Sequence, residues 1–300
     1  MRIAVIGRTG QLAQSLVERA NAAGTSVEIV TRARPDFDLA AIGSIQAAID
    51  AVVPDLVVNA AAYTAVDKAE SDPDTALLLN GAAAGAIASA CAARAIPVVQ
   101  VSTDYVFDGS KPTPYVETDL TSPINVYGAS KTLGEQLVAK ANPRHLVLRT
   151  SWVISPFGHN FVRTMLRLAA GRDRIAVVDD QYGAPTYAPH LADAILRLAL
   201  TMASAPATDP RWGIYNVVNR GETTWCGLAR SVFEAAAARG AHCPVVDPIA
   251  TAAYPTPARR PANSRLDTSK LERTFGIALP AWQDGVTACV ERLLASTPAR

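Results

Sequence analysis

The opening residues constrain the fold most. Residues 3–6 (IAVI) form an all-apolar run that meets Gly7, and GRTGQLAQSLVERANAAG follows. A short apolar run without polar alternation is the pattern of a parallel strand buried on both faces. Gly7 and Gly10, with Ala13 at the third position, then make a turn into a helix. Such a turn lets backbone come close to a pyrophosphate seated at the positive end of the helix. The spacing is G-x-x-G-x-x-A rather than G-x-G-x-x-G, and the alanine fits because the third position packs helix on strand. Two glycines in a tight turn are also ordinary turn chemistry. Their place, after a strand and before a helix, is what favours a dinucleotide site.

The same alternation continues. Strands are predicted at 26–31, in DLVVNAAAYTAVD from Asp55, at 98–101 and in HLVLRTSWVI; helices are predicted at 42–53, 73–95 and through NVYGASKTLGEQL, 125–137. Strand and helix in turn over residues 1–150 predict an α/β fold with a doubly wound parallel sheet of the Rossmann type. Beyond it the pattern loosens. Helices are expected at 160–170, 189–202, 224–239 and 282–294, with a strand in WGIYNVVN and a Pro-rich, basic, irregular stretch at 253–263. We therefore expect a cofactor-binding part over 1–150, to which the chain returns within about 175–220, and a smaller α/β substrate part drawn mainly from 151–300.

Composition excludes other classes. A chain of 300 residues that is 49% hydrophobic and 18% charged has material for a large core. Net charge is +1 with no long basic run, so nucleic acid is not an expected partner. The N-terminal apolar run lacks the length and cleavage site of a signal peptide. No uninterrupted apolar stretch of about 18 residues appears, so no membrane span is expected. Cys91, Cys226, Cys243 and Cys289 have neither zinc nor redox spacing, and the four histidines are scattered. Reduced thiols in a cytoplasmic protein, with no metal site, are the expectation.

Candidate chemistry gathers at Tyr127 and Lys131. Residues four apart share a helical face. A nearby cation favours the phenolate and lowers the phenol's ordinary value of about 10. A tyrosine so tuned exchanges a proton with a carbonyl or alcohol oxygen. The bland alternative is a half-buried tyrosine beside a surface lysine. Ser102, Thr103 and Asp104 stand at a strand's carboxyl end, where open parallel sheets bind ligands. A hydroxyl there can donate to an oxygen gaining charge, although Ser and Thr at strand ends are also turn formers. Ala60, Ala61 and Ala62 allow close approach of a flat ligand or of a packed helix. After the second strand no acid stands ready for ribose hydroxyls. Arg32 stands there instead, a candidate contact for a 2′-phosphate, hence NADPH, or else a solvated loop arginine. Asp38 and Leu39 come where a turn passes the adenine, and Asp38 could equally cap the following helix.

Longer stretches carry a resemblance. GRTGQLA, NAAAYTAVDKAES, STDYVFDG, PYVETDLTSPINVYGASKTLGE, LRTSWV, DQYGAPT, TTWCGLA and AYPTPARRPANSRL span nearly the whole chain. With them the sequence resembles the extended short-chain dehydrogenases/reductases, and among these the dTDP-4-dehydrorhamnose reductases. The resemblance implies reduction of a nucleotide-sugar ketone by a reduced nicotinamide cofactor, with a dTDP-sugar as substrate; Arg32 in place of the family's acid leans the cofactor to NADPH, with NADH also open. It implies that Tyr127 protonates the new alkoxide, Lys131 holds the nicotinamide ribose and lowers the Tyr127 pKa, and Thr103 polarises the carbonyl. It places Gly7, Gly10, Gln11 and Leu12 at the pyrophosphate, Asp38 and Leu39 at the adenine, and Ala62, Tyr63 and Thr64 along the cofactor cleft. Thr103, Asp104 and Trp152 would contact the sugar, with Arg260 and Asn263 toward the nucleotide side or ordering their own loop. A homodimer goes with it. Some relatives hold a divalent metal such as Mg among glutamates at a subunit contact; Ser15 stands where one such carboxylate belongs and only Glu291 suits, so no metal is assigned. An epimerase or dehydratase that recycles bound NAD, and a silent cofactor-binding subunit, stay open as alternatives.

Overall fold

The computed structural model describes residues 1–22, 24 and 26–295. Its first half runs β1 (Arg2–Ile6), α1 (Gln11–Ala22), β2 (Glu28–Arg32), α2 (Ile45–Asp50), β3 (Leu56–Asn59), α3 (Val66–Ala69), α4 (Pro73–Leu77), α5 (Ala83–Ala92), β4 (Val98–Thr103), α6 (Val126–Ala141) and β5 (His145–Thr150). There follow β6 (Val153–Ile154), α7 (Phe161–Ala169), β7 (Arg174–Val178), β8 (Tyr182–Gly183), β9 (Thr186–Tyr187), α8 (Ala188–Met202) and β10 (Gly213–Asn216). The chain ends in β11 (Thr223–Thr224), α9 (Trp225–Ala237), β12 (Val245–Ile249), α10 (Ser269–Phe275) and α11 (Trp282–Ala295).

Six strands form one parallel sheet in the order β2-β1-β3-β4-β5-β10. The apolar runs read as buried strands are its centre: Ile3, Val5, Leu56, Val58, Val98 and Val99 are wholly buried. The strand order reverses between β1 and β3, which opens a crevice at their carboxyl ends, the usual ligand position in such sheets. β10, the strand of WGIYNVVN, pairs with β5 at the far edge, Tyr215 opposite Leu148. One apolar layer lies under α1 and α8, and a second under α2, α5 and α6. A separate core joins α7, α9, α11 and β7 in the later half.

The predicted helix at 73–95 is interrupted. Leu78–Ala82 is a π-turn between α4 and α5, a feature that tends to accompany functional sites. By length and hydropathy the run Pro73–Ala92 would cross a membrane, yet half of it is buried against its neighbours. Glycines set how close α6 comes to this run. A β-carbon on Gly81 would lie 2.6 Å from the Leu133 side chain, and one on Gly134 would run into the Asn80 carbonyl. Asn125 caps α6, its side chain accepting from the Gly128 amide at 2.7 Å. The helix is thereby fixed at its start and along its back.

Candidate active site

The strand ends open onto a cavity of about 1010 Å³, at the top of the range of roughly 300–1,000 Å³ usual for ligand sites. Its floor is Gly7 to Leu12, the turn into α1. Gly7 has φ +123°, a conformation that glycine adopts without strain. A β-carbon on Gly10 would meet nothing within 4 Å, so backbone there is bare to a ligand. Arg8, Arg32, Arg34, Asp38 and Leu39 line one end; Ala62 and Thr64 line a side. These features fit an extended anionic dinucleotide: a glycine turn at a helix N-terminus for the pyrophosphate and guanidinium groups at one extremity. Asp38 also closes its own turn, accepting from the Ala40 amide at 3.0 Å.

Tyr127, Lys131, Thr103 and Asp104 meet on the same cavity. The Thr103 hydroxyl donates to Asp104 Oδ1 at 2.9 Å and accepts from the Tyr105 amide at 3.2 Å. The Tyr127 ring stands edge-on to Tyr105, centroids 5.8 Å apart. Lys131 Nζ donates to the Val101 carbonyl at 2.7 Å. That orientation corrects one expectation. The Tyr127 phenol is not lowered; burial pushes it up, helped by the Asp104 charge, with the Thr103 hydroxyl pulling the other way. Burial of the phenol and the Asp104 carboxylate beside it, neither visible in a sequence, outweigh the helical spacing of the lysine.

Of four further candidates, Tyr63 is placed differently from the sequence reading, and the contacts of Asn263, Gln11 and Arg260 add to it. Tyr63 turns from the cavity, its hydroxyl donating to Asp72 at 3.1 Å and its backbone gripped on both sides by the Asn80 amide. Asn263 donates to the Lys111 and Thr113 carbonyls and accepts from Arg265, so of the two readings its amide takes the loop-ordering one, fastening its loop to the segment at 111–113. Gln11 lines the floor, but its side chain also ties the glycine turn to the later half, through the Val153 carbonyl, Ser155 and Asn160. Arg260 does reach the cavity, donating to the Tyr105 hydroxyl at 3.1 Å and to Asp67 at 2.8 Å.

Trp152 forms the opposite wall. Its backbone is left-handed, φ 45°, which is strained for a bulky residue. Its indole stacks on Trp225 at 3.7 Å, and Phe161 leans on Trp225 at 4.9 Å. Gly183 lies beneath; a β-carbon there would come within 2.6 Å of the indole. Trp225 lines the cavity as well.

Comparison with known proteins places this geometry. A family model described as the RmlD substrate binding domain matches residues 1–295. A dTDP-4-dehydrorhamnose reductase of Sinorhizobium fredii is 49% identical, covering 98% of each chain. The chain belongs to the dTDP-4-dehydrorhamnose reductase family. The crystal structure of a dTDP-4-dehydrorhamnose reductase from Clostridium acetobutylicum superposes with TM-score 0.90 at 31% identity, over 98% of this chain and all of that one. Another, from Bacillus anthracis and in complex with NADP, superposes with TM-score 0.86 at 33% identity, over 99% of both chains.

Sequence reading of this family member missed several cavity residues. Trp225 lies within the quoted stretch TTWCGLA but received no role; an indole opening a helix beside an apolar wall was the available signal. Arg8 and Arg34 line the Arg32 end of the cavity too, and Arg8 reaches Asp36 at 3.3 Å. No three His, Cys, Asp or Glu side chains come together as metal ligands among the described residues. Ser15 is buried, its hydroxyl donating to the Gln11 carbonyl, and Glu291 pairs with Arg239.

Asp104 is the unusual charge here. Burial raises its carboxyl from 3.8 to about 6, against hydrogen bonds from Ser264 and Thr103, and its Oδ2 has no hydrogen-bond partner. A raised acid binds its proton more tightly in the folded chain, so its contribution to stability is full below 3.8 and is lost as pH rises to about 6. Asp104→Asn should therefore be more stable than wild type at pH 7.5, by about 3 kcal/mol at most, with a smaller gap at pH 4.5. Denaturant titrations at the two pH values check this; an unchanged gap would mean an ordinary carboxylate.

Proposed function

We propose that the chain reduces the C4 ketone of dTDP-4-dehydro-β-L-rhamnose to dTDP-β-L-rhamnose with NADPH, the last step of dTDP-L-rhamnose synthesis. The observation that carries this reading is the meeting of Tyr127, Thr103 and Lys131 at one edge of the cavity floored by the glycine turn. Membership of the reductase family sets the substrate. We place the enzyme in the cytoplasm, in keeping with four free cysteines, and expect it to act as a homodimer.

Bound NADPH supplies the hydride for the sugar C4. Tyr127 supplies the proton to the oxygen at that carbon. In the direction of reduction it has to arrive protonated, and burial, which pushes the phenol up, favours that at neutral pH. Thr103 has a single proton, held in the structure by Asp104. It donates to the developing oxyanion by turning from Asp104, or by accepting from a protonated Asp104 while it donates onward. Lys131 holds a cofactor ribose hydroxyl in place of the Val101 carbonyl. Trp152 gives the sugar ring an apolar wall. Arg260, held by Tyr105 and Asp67 at the cavity edge, would be the group to meet the diphosphate.

The decisive assay is loss of reduced cofactor by purified protein on dTDP-4-keto-6-deoxy-L-sugar generated in place by an epimerase. Stoichiometric oxidation with dTDP-L-rhamnose appearing is the expected result. No oxidation by protein shown to bind the cofactor would sink the reading, and oxidised NAD co-purifying would move it to an epimerase or dehydratase. In the same assay Arg32→Ala should raise KM for NADPH ~10-fold, the scale of one lost charge-assisted contact, and leave KM for NADH unchanged. Equal effects on both would remove Arg32 from 2′-phosphate recognition.

A further inference from the structure

α6 carries a third ionisable residue in register with the first two. Tyr127, Lys131 and Glu135 follow at four-residue intervals and so share a face. Lys131, Glu135 and Arg149 are 3%, 4% and 2% exposed. Glu135 is fully engaged: Oε1 accepts from Ser102 Oγ at 2.5 Å and Arg149 Nε at 2.9 Å, and Oε2 accepts from Arg149 Nη2 at 2.7 Å. Arg149, on β5, is itself held by the Glu117 carbonyl at 3.3 Å and lies over the Phe107 ring. Lys131 has the Val101 carbonyl but, among the described residues, no carboxylate at ion-pair distance. A buried ammonium without counter-charge is costly and sheds its proton.

We propose that Glu135 is a positioning residue of the reaction: clamped by Arg149 and Ser102, it supplies the counter-charge one helical turn behind Lys131 that keeps the buried ammonium charged and available to the cofactor. This rests on the reading of Lys131 as a cofactor-binding residue. The ionisable groups around Lys131 are Tyr127 and Glu135 on its own helix, Arg149 on β5 and Asp104 after β4. Of these, Glu135 is the one that acts on the ammonium, opposing burial, which draws it down to about 8. A pair serving only to fasten α6 to the sheet would be replaceable by apolar side chains without any effect on the lysine.

Lysine NMR separates the two roles without substrate. The chain has five lysines, so ¹³Cε-lysine labelling gives a simple spectrum in which Lys131→Arg assigns the resonance. The titration is compared in wild type, Glu135→Gln and the double variant Glu135→Leu/Arg149→Met; the double removes both charges together and keeps the volume filled, so it folds even where Glu135→Gln does not. The Lys131 midpoint is expected to fall by about one pH unit or more in each folded variant, a tenfold change in proton affinity, with the other lysines unmoved. NADPH binding, followed by fluorescence, should weaken ~5-fold or more at pH 8.5 and change little at pH 6.5. A wild-type Lys131 midpoint in the double variant would overturn the proposal and leave Glu135 as a fastening alone. A lowered midpoint with unchanged NADPH affinity would keep the charge coupling and overturn the cofactor role of Lys131, whatever the reductase assay shows.

Discussion

Tyr127→Phe should lower turnover at least ~100-fold, the lower end of what a general acid contributes, with KM and the folded state nearly unchanged. The substitution is clean for a structural reason. The ring keeps its edge contact with Tyr105, and the lost hydroxyl has Thr103 as its hydrogen-bonding neighbour, which already has Asp104 to donate to. What disappears, on the mechanism proposed above, is the proton donated to the C4 oxygen. Steady-state kinetics with saturating NADPH, alongside a thermal melt, measures both halves. A variant that turns over near the wild-type rate would take the acid role from Tyr127 and give it to the Thr103–Asp104 pair.

Arg149→Ala has the largest expected cost in stability, roughly 3–5 kcal/mol. The guanidinium is almost inaccessible and forms a two-pronged pair with Glu135. Its removal leaves a carboxylate buried between α6 and the sheet with Ser102 as its remaining donor. It also takes away the cation lying 4.9 Å from the Phe107 ring centroid. Urea unfolding gives the number directly. A loss below about 1 kcal/mol, the value of an exposed pair, would mean that water reaches Glu135. The double variant Glu135→Leu/Arg149→Met should recover most of the stability, because neither partner of the pair is then left buried without the other; what it still lacks is the counter-charge of the buried Lys131. The contrast between single and double shows that breaking the pair and removing it are different operations.

What the sequence disclosed and what it hid divide along physical lines. The parallel strands were legible because burial on both faces leaves an unbroken apolar run, as in Ile3 to Ile6 and Val98 to Val99. The cavity floor and the Tyr127–Lys131 helix were legible through spacing, since Gly7, Gly10 and the four-residue interval encode local geometry. Two-residue strands such as Tyr182–Gly183 and Thr186–Tyr187 carry too few residues for any period. The π-turn was hidden because residues 78–82 carry no local signal for it, and the contacts Asn80 makes from within it reach Tyr63 and Ser130, distant in the chain. Tyr63 read as a site residue by position, and Asn263 as either that or a loop-ordering residue, yet position does not say which way a side chain turns. The largest misjudgement, the sign of the Tyr127 shift, came from weighing a neighbour's charge without the dielectric around it. Desolvation is a property of the assembled fold, and neither residue type nor interval reports it.

The wall made by Trp152 bears on how such an enzyme can change. The indole is held by a left-handed backbone, by Trp225 on one side and by the missing β-carbon of Gly183 on the other. A smaller residue at 152 would leave Trp225 without its stacking partner; a larger one at 183 would displace the indole; a substitution at 225 would leave the strained residue 152 unsupported. Each single step away from the present wall passes through a worse protein. If Trp152 walls the sugar as proposed, an engineer seeking a different sugar would have to move these three positions together, whereas at the arginine-bearing end of the cavity Arg8, Arg32 and Arg34 stand on separate segments and can be exchanged one at a time. The same pocket thus has an interlocked end and a modular one, and single substitutions should retune its cofactor choice more readily than its sugar choice.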